Sequence, residues 1–517
     1  MADGVHGLKG EASTTDGNLP SGWCLATVEE VAWVNPPGKT VSPSDDTIIS
    51  FLPMPAVEAL SGEIDLNDQR PFGSVKKGFT RFREGDLLFA KITPSMENGK
   101  IAVARGLKNG LGCGTTEFHV LRPSEAVAVD FLRYFVLRDA YRGEAKRHMS
   151  GAVGQQRVPK SFLASTEIPL APLAEQRRIV SRIEELFSKI EAGERAIKQG
   201  RKDLKRYRKA VLKAAVTGAL TEDWRAANPS TETGEALLTR ILEERREAWE
   251  VAEIGKLKAR GKVTPKTAAE LSKLRARYKA PEAAVPPDEL DVPDGWNWAA
   301  LEELCLIKGG VTVDRKRAVT DPVTLPYLRV ANVQAGRIDI SEIKEITVSK
   351  MKAHDCALQA GDILLNEGGD LDKLGRGWVW YGQLNPCLHQ NHVFRARPAS
   401  PKVSPEFVSH YANALGQSFF MEKGKQSVNL ASISLTAISR LPVPLPPYEE
   451  QLEIVSRVEE ALSRADAAEA TLDEQARAAR ALRQSILKAA FTGRLVPQDP
   501  NDEPARKLLK RVKARAQ

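Results

Sequence analysis

Two groups of amide and basic side chains, one in each half of the chain, have the chemistry to contact nucleic acid. Gln and Asn pair bidentately with adenine edges, Arg pairs with guanine edges, and Lys suits phosphates. For any single one of them a solvated loop is the simpler interpretation, but the clusters together favour a DNA-binding surface. The candidates are Lys76, Lys77, Arg81, Lys91, Asn98, Lys100, Gln155, Gln156, Arg157 and Lys160, followed by Asn332, Gln334, Lys373, Arg376, Gln390, Asn391, Lys425, Gln426 and Asn429.

Motifs for catalysis are missing from the sequence. VNPPGKT (34–40) lacks the aromatic residue that an amino-methyltransferase NPP motif requires and the upstream glycine of a P-loop. No nucleophile elbow, HExxH or nuclease-like carboxylate cluster occurs. His389 and His392 form an HxxH near Cys387, but without a clear further ligand ordinary loop histidines are favoured over a metal site. We therefore predict no catalytic residue, no metal and no cofactor in this chain.

The bulk composition is that of a protein with several globular domains. The 517 residues suffice for about three or four domains. The excess of 75 basic over 67 acidic side chains permits nucleic-acid binding without demanding it. The five cysteines form no CxxC pair, so neither a disulfide framework nor a zinc ribbon is indicated. Since no signal peptide or membrane-length apolar run is evident, we expect a cytoplasmic protein.

One segment of the sequence is repeated. IVSRIEEL (179–186) returns as IVSRVEEA (454–461), and VLKAAVTGAL (211–220) returns as ILKAAFTGRL (486–495), both at an offset of 275. Across 175–220 and 450–495 about nineteen of 46 positions are identical without a gap. Other pieces recur at nearby offsets, such as LPSGW and VPDGW, or EGDLLF and AGDILL. The chain is therefore two tandem copies of one unit, a domain followed by a helix.

Each repeated helix carries an apolar seam whose spacing alternates four and three residues, which is a heptad pattern. The second seam is richer in alanine than the first, so we predict that the two helices pack on each other within one chain. The Thr-Gly after each LKAA block predicts the helix end. The alternative is that each helix belongs to the core of its own domain. The predicted pairing residues are Ile179, Ile183, Leu186, Ile190, Ile197, Leu204, Val211, Ile454, Val458, Ala465, Leu472, Leu482 and Ile486.

The predicted fold class is α+β, with two similar α/β domains joined by two long helices. The seam alone leaves the helix orientation open, and an antiparallel coiled coil would give the repeat a pseudo-twofold axis. The basic run 198–209 is either an exposed helix face or a contact with phosphates or an acidic partner. The predicted segments are a disordered tail (1–18), domain one (19–173), the central helix (174–220), a charged helical linker (221–291), domain two (292–447), the C-terminal helix (448–495) and a tail (496–517).

The doubled lead-in ending in Glu-Gln, the doubled octad and the doubled LKAA block resemble the specificity (S) subunit of type I restriction–modification systems over nearly the whole chain. LTEDWRAANP (220–229) adds to the likeness. The resemblance implies two target recognition domains, each of which reads one half of a bipartite, asymmetric duplex DNA site. It implies that the paired helices set the spacer between the halves, and that this chain has no active site.

The same resemblance implies the partners. Two methyltransferase (M) subunits would use S-adenosylmethionine to methylate adenine N6, and two restriction/translocase (R) subunits would use ATP and Mg²⁺. We expect segment 221–291, which is longer than a minimal connection, to help hold a methyltransferase subunit. Two other functions stay open on the residues alone: a coiled-coil adaptor without DNA binding, and a fused methyltransferase, which the missing cofactor loop disfavours.

Overall fold

The structure is a computed structural model, and it describes residues 19–37, 43–152, 154–288, 290–312, 319–369, 374–426 and 431–516. The predicted disordered tail 1–18 lies outside these residues. The chain divides into two compact units. Unit 1 comprises residues 1–199 and 472–517, and unit 2 comprises residues 200–471. Each unit therefore contains one globular domain and a part of both long helices.

Unit 1 begins with a mixed α/β domain. Its helices are α1 (Val28–Val31), α2 (Phe72–Val75), α3 (Val129–Leu137), α4 (Asp139–Arg147) and α5 (Lys160–Ser165). Its strands are β1 (Cys24–Thr27), β2 (Ala32–Val34), β3 (Ile48–Leu52), β4 (Gln69–Pro71), β5 (Thr80–Arg83), β6 (Leu87–Ala90), β7 (Ile101–Val103), β8 (Leu111–Gly114), β9 (Phe118–Pro123) and β10 (Glu167–Leu170).

Two four-stranded sheets form the centre of this domain, in the orders β2-β9-β6-β7 and β4-β3-β8-β5. Strands β3 and β8 are parallel, and the other pairs are antiparallel. Strand β6 is buried on both faces: Leu88 packs in the apolar cluster that includes Leu52 and Phe82 of the other sheet, and Phe89 packs in the cluster that includes Phe131 of α3. The antiparallel pair β1–β10 closes the domain next to the first long helix.

Unit 2 contains the second domain. Its helices are α7 (Glu222–Ala227), α8 (Gly234–Ala259), α9 (Ala268–Arg275), α10 (Leu301–Leu304), α11 (Lys350–Cys356), α12 (Pro405–Ala414), α13 (Gly416–Lys423) and α14 (Leu435–Ser439). Its strands are β11 (Asn297–Ala300), β12 (Cys305–Lys308), β13 (Pro322–Leu328), β14 (Val333–Gln334), β15 (Arg337–Ile338), β16 (Lys344–Ser349), β17 (Asp362–Asn366), β18 (Gly368–Gly369), β19 (Gly377–Trp380), β20 (Leu388–His389), β21 (Val393–Pro398), β22 (Lys425–Gln426), β23 (Ala431–Ser432) and β24 (Pro442–Leu445).

The second domain repeats the plan of the first. A four-stranded sheet in the order β12-β21-β17-β19 corresponds to β2-β9-β6-β7, and the pair β11–β24 corresponds to β1–β10. The parallel pair β13–β20 corresponds to β3–β8. Two small additions, β14–β15 and β18-β23-β22, belong to the second domain. The predicted α+β architecture of two similar domains with two long helices is confirmed.

The two long helices are α6 (Leu173–Val216) and α15 (Tyr448–Phe491), each of 44 residues. Both end at the predicted Thr-Gly, where Gly218 and Gly493 have φ of 75° and 66°. Residues other than glycine rarely adopt this left-handed conformation. A Cβ at Gly218 would also lie 2.3 Å from Pro293. The repeated glycine is therefore required to turn the chain out of each helix.

The doubled Glu-Gln attaches each helix to its domain. Glu175 Oε2 accepts a hydrogen bond from the Trp23 indole at 3.0 Å, and Glu450 Oε2 accepts one from the Trp296 indole at 2.9 Å. These are the tryptophans of PSGW and PDGW. Each neighbouring glutamine is buried and caps a helix of the domain.

The two glutamines make matching hydrogen bonds. Gln176 Oε1 accepts from the backbone N–H of Ala128, the residue that precedes α3, at 2.8 Å. Gln451 Oε1 accepts from the N–H of Ser404, the residue that precedes α12, at 2.9 Å. Buried polar side chains of this kind need their partners, so the motif is repeated because the attachment is repeated.

The helices run antiparallel in both units, and two equivalent arginines connect them. In unit 2 Arg208 of α6 pairs with Asp466 and Glu469 of α15, at 2.6 and 2.8 Å. In unit 1 Arg483 of α15 pairs with Glu191 and Glu194 of α6, at 3.6 and 2.9 Å. Each residue of one ion-pair group corresponds to a residue of the other at the offset of 275: Arg208 to Arg483, Glu191 to Asp466 and Glu194 to Glu469. The predicted pairing of the two helices within one chain is therefore present in each unit.

The heptad seam is buried at the ends of the helices and less so between them. Ile183 is buried in the core of the first domain and Val458 in that of the second. The first turns of each helix thus belong to the core of its own domain, as the alternative interpretation held, but the last turns of each pack in the core of the other domain. The arginines join the helices to each other. Ile179, Ile183, Ile190, Val211, Ile454, Val458, Ala465 and Ile486 are buried, and Leu186, Ile197, Leu204 and Leu472 are half-buried.

The prediction for Leu482 is wrong, because its side chain is 51% exposed. The next residue, Arg483, faces the partner helix instead and places its guanidinium 4.8 Å from the centre of the Phe187 ring. Consecutive residues lie about 100° apart on a helix, so only one of the two can point inward. A long arginine stem covers apolar surface while its head reaches the acidic residues.

The segment that follows each long helix packs on a domain in the same way. In unit 1 helix α16 (Ala505–Ala516) buries Leu508 and Leu509 against the first domain, and the N–H of Ala505 donates to the Gly22 carbonyl at 2.9 Å. In unit 2 helix α8 buries Leu237 and Leu238 against the second domain, and the N–H of Gly234 donates to the Gly295 carbonyl at 2.7 Å. The loose sequence match between GEALLTRILEER and PARKLLKRVKAR thus reflects one structural role.

Two buried histidines in unit 2 make its stability sensitive to acid. Burial lowers the pKa of His410, and of His389, to about 4. An unfolded histidine has a pKa near 6.5. The unfolding free energy is therefore unaffected by these groups above that pH and decreases as the pH falls towards 4, by about 3 kcal/mol for each histidine. We expect His410→Phe to flatten the decline in unfolding free energy between pH 7 and pH 4.

The measurement is urea denaturation at several pH values, with the exposed His354→Gln as the control in the same unit. Phenylalanine keeps an aromatic ring beside Trp378, whose ring centre lies 4.9 Å from that of His410. An unchanged pH dependence in His410→Phe would contradict the assignment of the acid loss to this side chain.

Candidate nucleic-acid interface

A cleft of about 420 Å³ in the first domain is lined by the predicted Arg81 and Lys91, together with Asn35 and Phe79. Arg81 lies on β5, and its guanidinium stacks 4.8 Å from the centre of the Phe72 ring and donates to the Lys76 carbonyl at 2.7 Å. The ring contact and the hydrogen bond to the Lys76 carbonyl help to orient the guanidinium. The cleft therefore combines a positioned arginine, a lysine and a half-exposed aromatic ring.

The glutamine loop lies beside the strand end that carries Lys91. The Lys91 carbonyl accepts from the Val158 N–H at 2.9 Å, and the Gln156 carbonyl accepts from the Thr93 N–H at 3.0 Å. Gln155 is exposed in this loop. The structure thus brings the Gln155–Gln156 loop next to Lys91, which is more than sixty residues away in sequence, and Lys91 lines the cleft with Arg81.

Arg157 has a structural role in holding this loop. Its guanidinium forms two parallel hydrogen bonds to Glu117, at 2.9 and 2.8 Å, and these lower the pKa of the Glu117 carboxyl. Beside it, His119 Nδ1 accepts a hydrogen bond from the Asn35 amide nitrogen at 2.9 Å, and His119 Nε2 donates to the Val158 carbonyl at 2.9 Å. The wall of the cleft is therefore tied together by side chains before any ligand is bound.

Lys100 has a structural role, and its predicted DNA contact stays a prediction. Its ammonium group donates to the carbonyls of Met54 and Val57, at 3.0 and 2.8 Å, and so fixes the turn that contains them. Lys76 forms an ion pair with Asp45 at 2.6 Å. The remaining candidates of this domain, Lys77, Asn98 and Lys160, are exposed.

The second domain has a cleft of about 350 Å³ that is lined by the predicted Gln334 and Arg376, with Arg337, Asn413 and Gln417 beside them. The Asn413 amide bridges to Gly377, donating to its carbonyl at 2.8 Å and accepting from its N–H at 3.1 Å. Arg376 Nε is buried without a hydrogen-bond partner among the described residues. Two arginines and a glutamine therefore face one concavity.

The prediction of Asn332 as a DNA contact is wrong. This residue is only 3% exposed, and its amide donates to the carbonyls of Asp339 and Glu342, both at 2.9 Å. Gln390 and Asn391 lie half-buried in the turn between β20 and β21. Lys373 and Asn429 lie outside the described residues. Lys425 and Gln426 form β22, which pairs with β23, and β23 pairs with β18.

Sequence inspection missed Arg337, Asn413 and Gln417. Asn413 and Gln417 belong to helices α12 and α13, in which a lone amide looks like an ordinary solvated residue. Arg337 follows the turn at Gly336, whose φ of 76° marks a tight connection between β14 and β15. The glycine in VQAGRI was the available signal that Gln334 and Arg337 face each other across a hairpin.

The histidine pair of the HxxH motif has other partners. His389 Nδ1 lies 2.6 Å from the Val393 carbonyl, and His392 Nδ1 lies 2.6 Å from Glu367 Oε2. Within the described ranges, no three His, Cys, Asp or Glu side chains are grouped as a metal site would need. Among the described helices, none combines the length and the apolar content that a bilayer crossing requires.

Comparison with known proteins gives the family. Residues 29–199 and 293–476 match the model of the type I restriction modification DNA specificity domain, so one match falls on each copy. The EcoEI specificity subunit of Escherichia coli is 27% identical over 476 residues, which cover 86% of this chain and 78% of that subunit. The EcoKI specificity subunit of E. coli strain K12 is 26% identical over 527 residues, which cover 96% of both chains.

Solved structures agree in fold. The HsdS subunit of Thermoanaerobacter tengcongensis has a TM-score of 0.53 and 19% identity, over 92% of this chain and 98% of that one. A chain from a type I R-M system complex has a TM-score of 0.60 and 20% identity, over 92% and 99% of the two chains. Together, the two matched domains and the paired long helices show that this chain belongs to the family of type I restriction–modification specificity subunits.

Proposed function

We propose that this chain selects the DNA target of a type I restriction–modification complex, and that each globular domain reads one half of a bipartite, asymmetric duplex site. The observation that carries the proposal is the pair of clefts in two domains of one plan. Arg81 lines the first cleft with Lys91, and the Gln155–Gln156 loop lies next to Lys91. Gln334, Arg337 and Arg376 line the second. Guanidinium and amide groups of this kind distinguish guanine and adenine edges.

The clefts differ in residues although the domains share a plan, which is what an asymmetric site requires. Lys91 is the cation of the first cleft beside Arg81, whereas the second has two arginines. Arginine suits bidentate readout and lysine acts as a point charge. We therefore expect the two halves of the target to differ in sequence.

The long helices set the spacer and dock the partner subunits in this proposal. Equivalent ion pairs at Arg208 and Arg483 support it, because they repeat the same surface twice on one chain. Two equivalent surfaces fit two copies of one partner. We propose two methyltransferase subunits at these surfaces, with two restriction/translocase subunits joining them.

This chain contributes positioning and no chemistry of its own. The methyltransferase subunits would supply S-adenosylmethionine and the pocket for an adenine flipped out of the stack, and the translocase subunits would use ATP and Mg²⁺. Here the recognition domains bring that pocket to the correct adenine. Phosphate contacts would supply much of the affinity and make it salt-dependent.

Exchange of one domain tests the proposal. Residues 28–166 are replaced by the same region of a relative, so that β1, β10 and the Trp23–Glu175 contact remain. We expect one half of the methylated motif to change while the other half and the spacer stay. The measurement is the methylated motif in genomic DNA of a host that expresses this chain with its methyltransferase subunit.

The reciprocal exchange of residues 301–441, between β11 and β24, is the matched control and should change the other half only. A motif in which both halves change after one exchange, or neither changes, contradicts modular reading. Absence of any salt-dependent duplex binding would favour the coiled-coil adaptor instead.

A further inference from the structure

One short stretch of the chain carries as much net positive charge as the whole protein. Residues 254–280, which we name the basic hairpin, contain nine Lys and Arg against one acidic residue, for a net charge of +8. The whole chain has 75 basic and 67 acidic side chains, which is also +8. The other 490 residues are therefore neutral in sum, although they include the basic run 198–209.

The basic hairpin is attached to the second domain at its base. The first turns of α8 bury Leu237, Leu238 and Ile241 in the core of unit 2. After the hairpin the chain returns to the same domain, where the N–H of Ala284 donates to Glu303 Oε2 at 3.2 Å. Both ends are therefore fixed to the domain.

The two arms of the hairpin, the end of α8 and helix α9, hold each other by a few contacts. The rings of Trp249 and Tyr278 lie 5.3 Å apart, and Arg275 pairs with Glu250 at 2.8 Å. Within 254–280, all of which the structure describes, Leu274 alone is buried. The arms form a thin two-helix projection with almost no core, so their side chains are available to a ligand.

Most of the cations in the hairpin have no acidic partner. Lys256 pairs with Glu253 at 2.6 Å, and Arg275 with Glu250. The one acid within the hairpin, Glu270, caps α9 by accepting from the N–H groups of Lys266 and Thr267, at 2.8 and 3.1 Å. The exposed cations that form no ion pair in the described part of the chain are Lys258, Arg260, Lys262, Lys266, Lys273, Arg277 and Lys279.

We propose that the basic hairpin is a second, sequence-independent DNA contact that binds the phosphates of the duplex. This goes beyond the proposed function, in which the two clefts read bases. Six of its nine cations are lysines, and the segment contains no Asn or Gln. Lysine suits phosphates, while the amide groups that read adenine are missing.

The composition favours DNA over a protein partner for this surface. Protein interfaces have an apolar centre and are depleted in lysine. The largest exposed apolar side chain of the hairpin is Val263, at 83%, and it stands alone among lysines. This interpretation differs from our expectation that segment 221–291 holds a methyltransferase subunit, because the distal part of that segment has the charge of a phosphate-binding surface.

The test neutralises four lysines in the full chain: Lys258→Gln, Lys262→Gln, Lys266→Gln and Lys273→Gln together. Binding to a random-sequence duplex and to the target duplex is measured by fluorescence anisotropy over a range of salt concentrations. We expect affinity for both to fall by roughly tenfold or more at 0.1 M salt, and the slope of log K against log salt to decrease by about 0.9 for each lost phosphate contact. The ratio of target to random affinity stays the same.

The matched control replaces the same four lysines by arginine, which keeps the charge and should keep binding. Thermal unfolding shows whether the variants are folded. An unchanged salt slope in the glutamine variant overturns the proposal. So does a weakened assembly with the methyltransferase subunit while DNA binding is intact, which would identify an acidic protein surface as the partner.

Different results would contradict the basic-hairpin proposal and the proposed function of the two clefts. A change in the ratio of target to random affinity in the hairpin variant overturns the proposal, because phosphate contacts carry no sequence information. Discrimination between target and random duplexes by the unmodified chain, in contrast, tests base reading by the two clefts and does not depend on the hairpin.

Discussion

Adding seven residues to each long helix is expected to move this protein to a new target, whose half-sites lie about three base pairs further apart than in the original. Seven residues lengthen a helix by roughly 10 Å at 1.5 Å per residue, and base pairs stack about 3.4 Å apart. The expectation rests on the proposed role of α6 and α15 in setting the spacer. A whole heptad keeps each seam in phase.

The insertions belong after Ile197 in α6 and after Ala476 in α15, near the Arg483–Glu194 ion pair in unit 1. The measurement is the methylated motif in host DNA. The control has a heptad inserted in only one helix. We expect it to lose assembly with the methyltransferase subunits, because the Arg208 and Arg483 ion pairs can no longer form together. If the doubly lengthened protein methylates the original motif, the helices do not set the spacer.

Replacement of Glu450 by glutamine is expected to destabilise the protein by about 3 kcal/mol, whereas the equivalent Glu175→Gln should change stability by about 1 kcal/mol or less. Glu450 Oε1 pairs with Arg225 at 2.5 Å and accepts from Thr221 at 2.8 Å. Removing the charge leaves a mostly buried guanidinium without its counterion. The expected loss of about 3 kcal/mol is the low end of the range for breaking a buried ion pair, because the Arg225 side chain is still 25% exposed.

Glu175 has the same place in its unit but not the same partners. Its Oε2 accepts from the Trp23 indole, and its Oε1 has no hydrogen-bond partner among the described residues. Burial raises the pKa of Glu175, so its charged form is disfavoured in the fold. An amide can keep the bond to Trp23 at little cost.

Calorimetry or urea denaturation near pH 7 compares the two variants. Adding Arg225→Met to Glu450→Gln should recover part of the loss, since the unpaired cation is then removed. Equal effects of Glu175→Gln and Glu450→Gln would show that the arginine contributes nothing and that the two attachments are energetically alike.

The repeat could be predicted in detail because helix patterns are local. The offset of 275 residues, the heptad spacing and the Thr-Gly ends predicted two helices of similar length that pair within one chain, and α6 and α15 have this form. Even so, Leu482 shows the limit of the pattern. Several side chains lie near the seam, and the acidic residues of the opposite helix, which are distant in sequence, favour Arg483 as the one that turns inward.

The members of the site could be predicted only in part. Of the basic and amide residues that the sequence suggested, Arg81, Lys91, Gln334 and Arg376 line the two clefts. Composition does not reveal which polar side chains serve the fold. Lys100 and Asn332 look like the others in sequence, yet each satisfies backbone carbonyls of its own domain.

By itself, the sequence determined that the protein is a tandem repeat with two long helices, because periodicity and identity at a constant offset need no tertiary contact. The tertiary structure decided what the repeated Glu-Gln does, which cations stay free, and where the charge of the linker is presented. These depend on partners such as Trp23, Arg225 and Glu270. A buried polar group needs a hydrogen-bond partner, and the fold can supply it from any part of the chain. Because that partner lies at no fixed spacing in the sequence, a sequence pattern does not identify it.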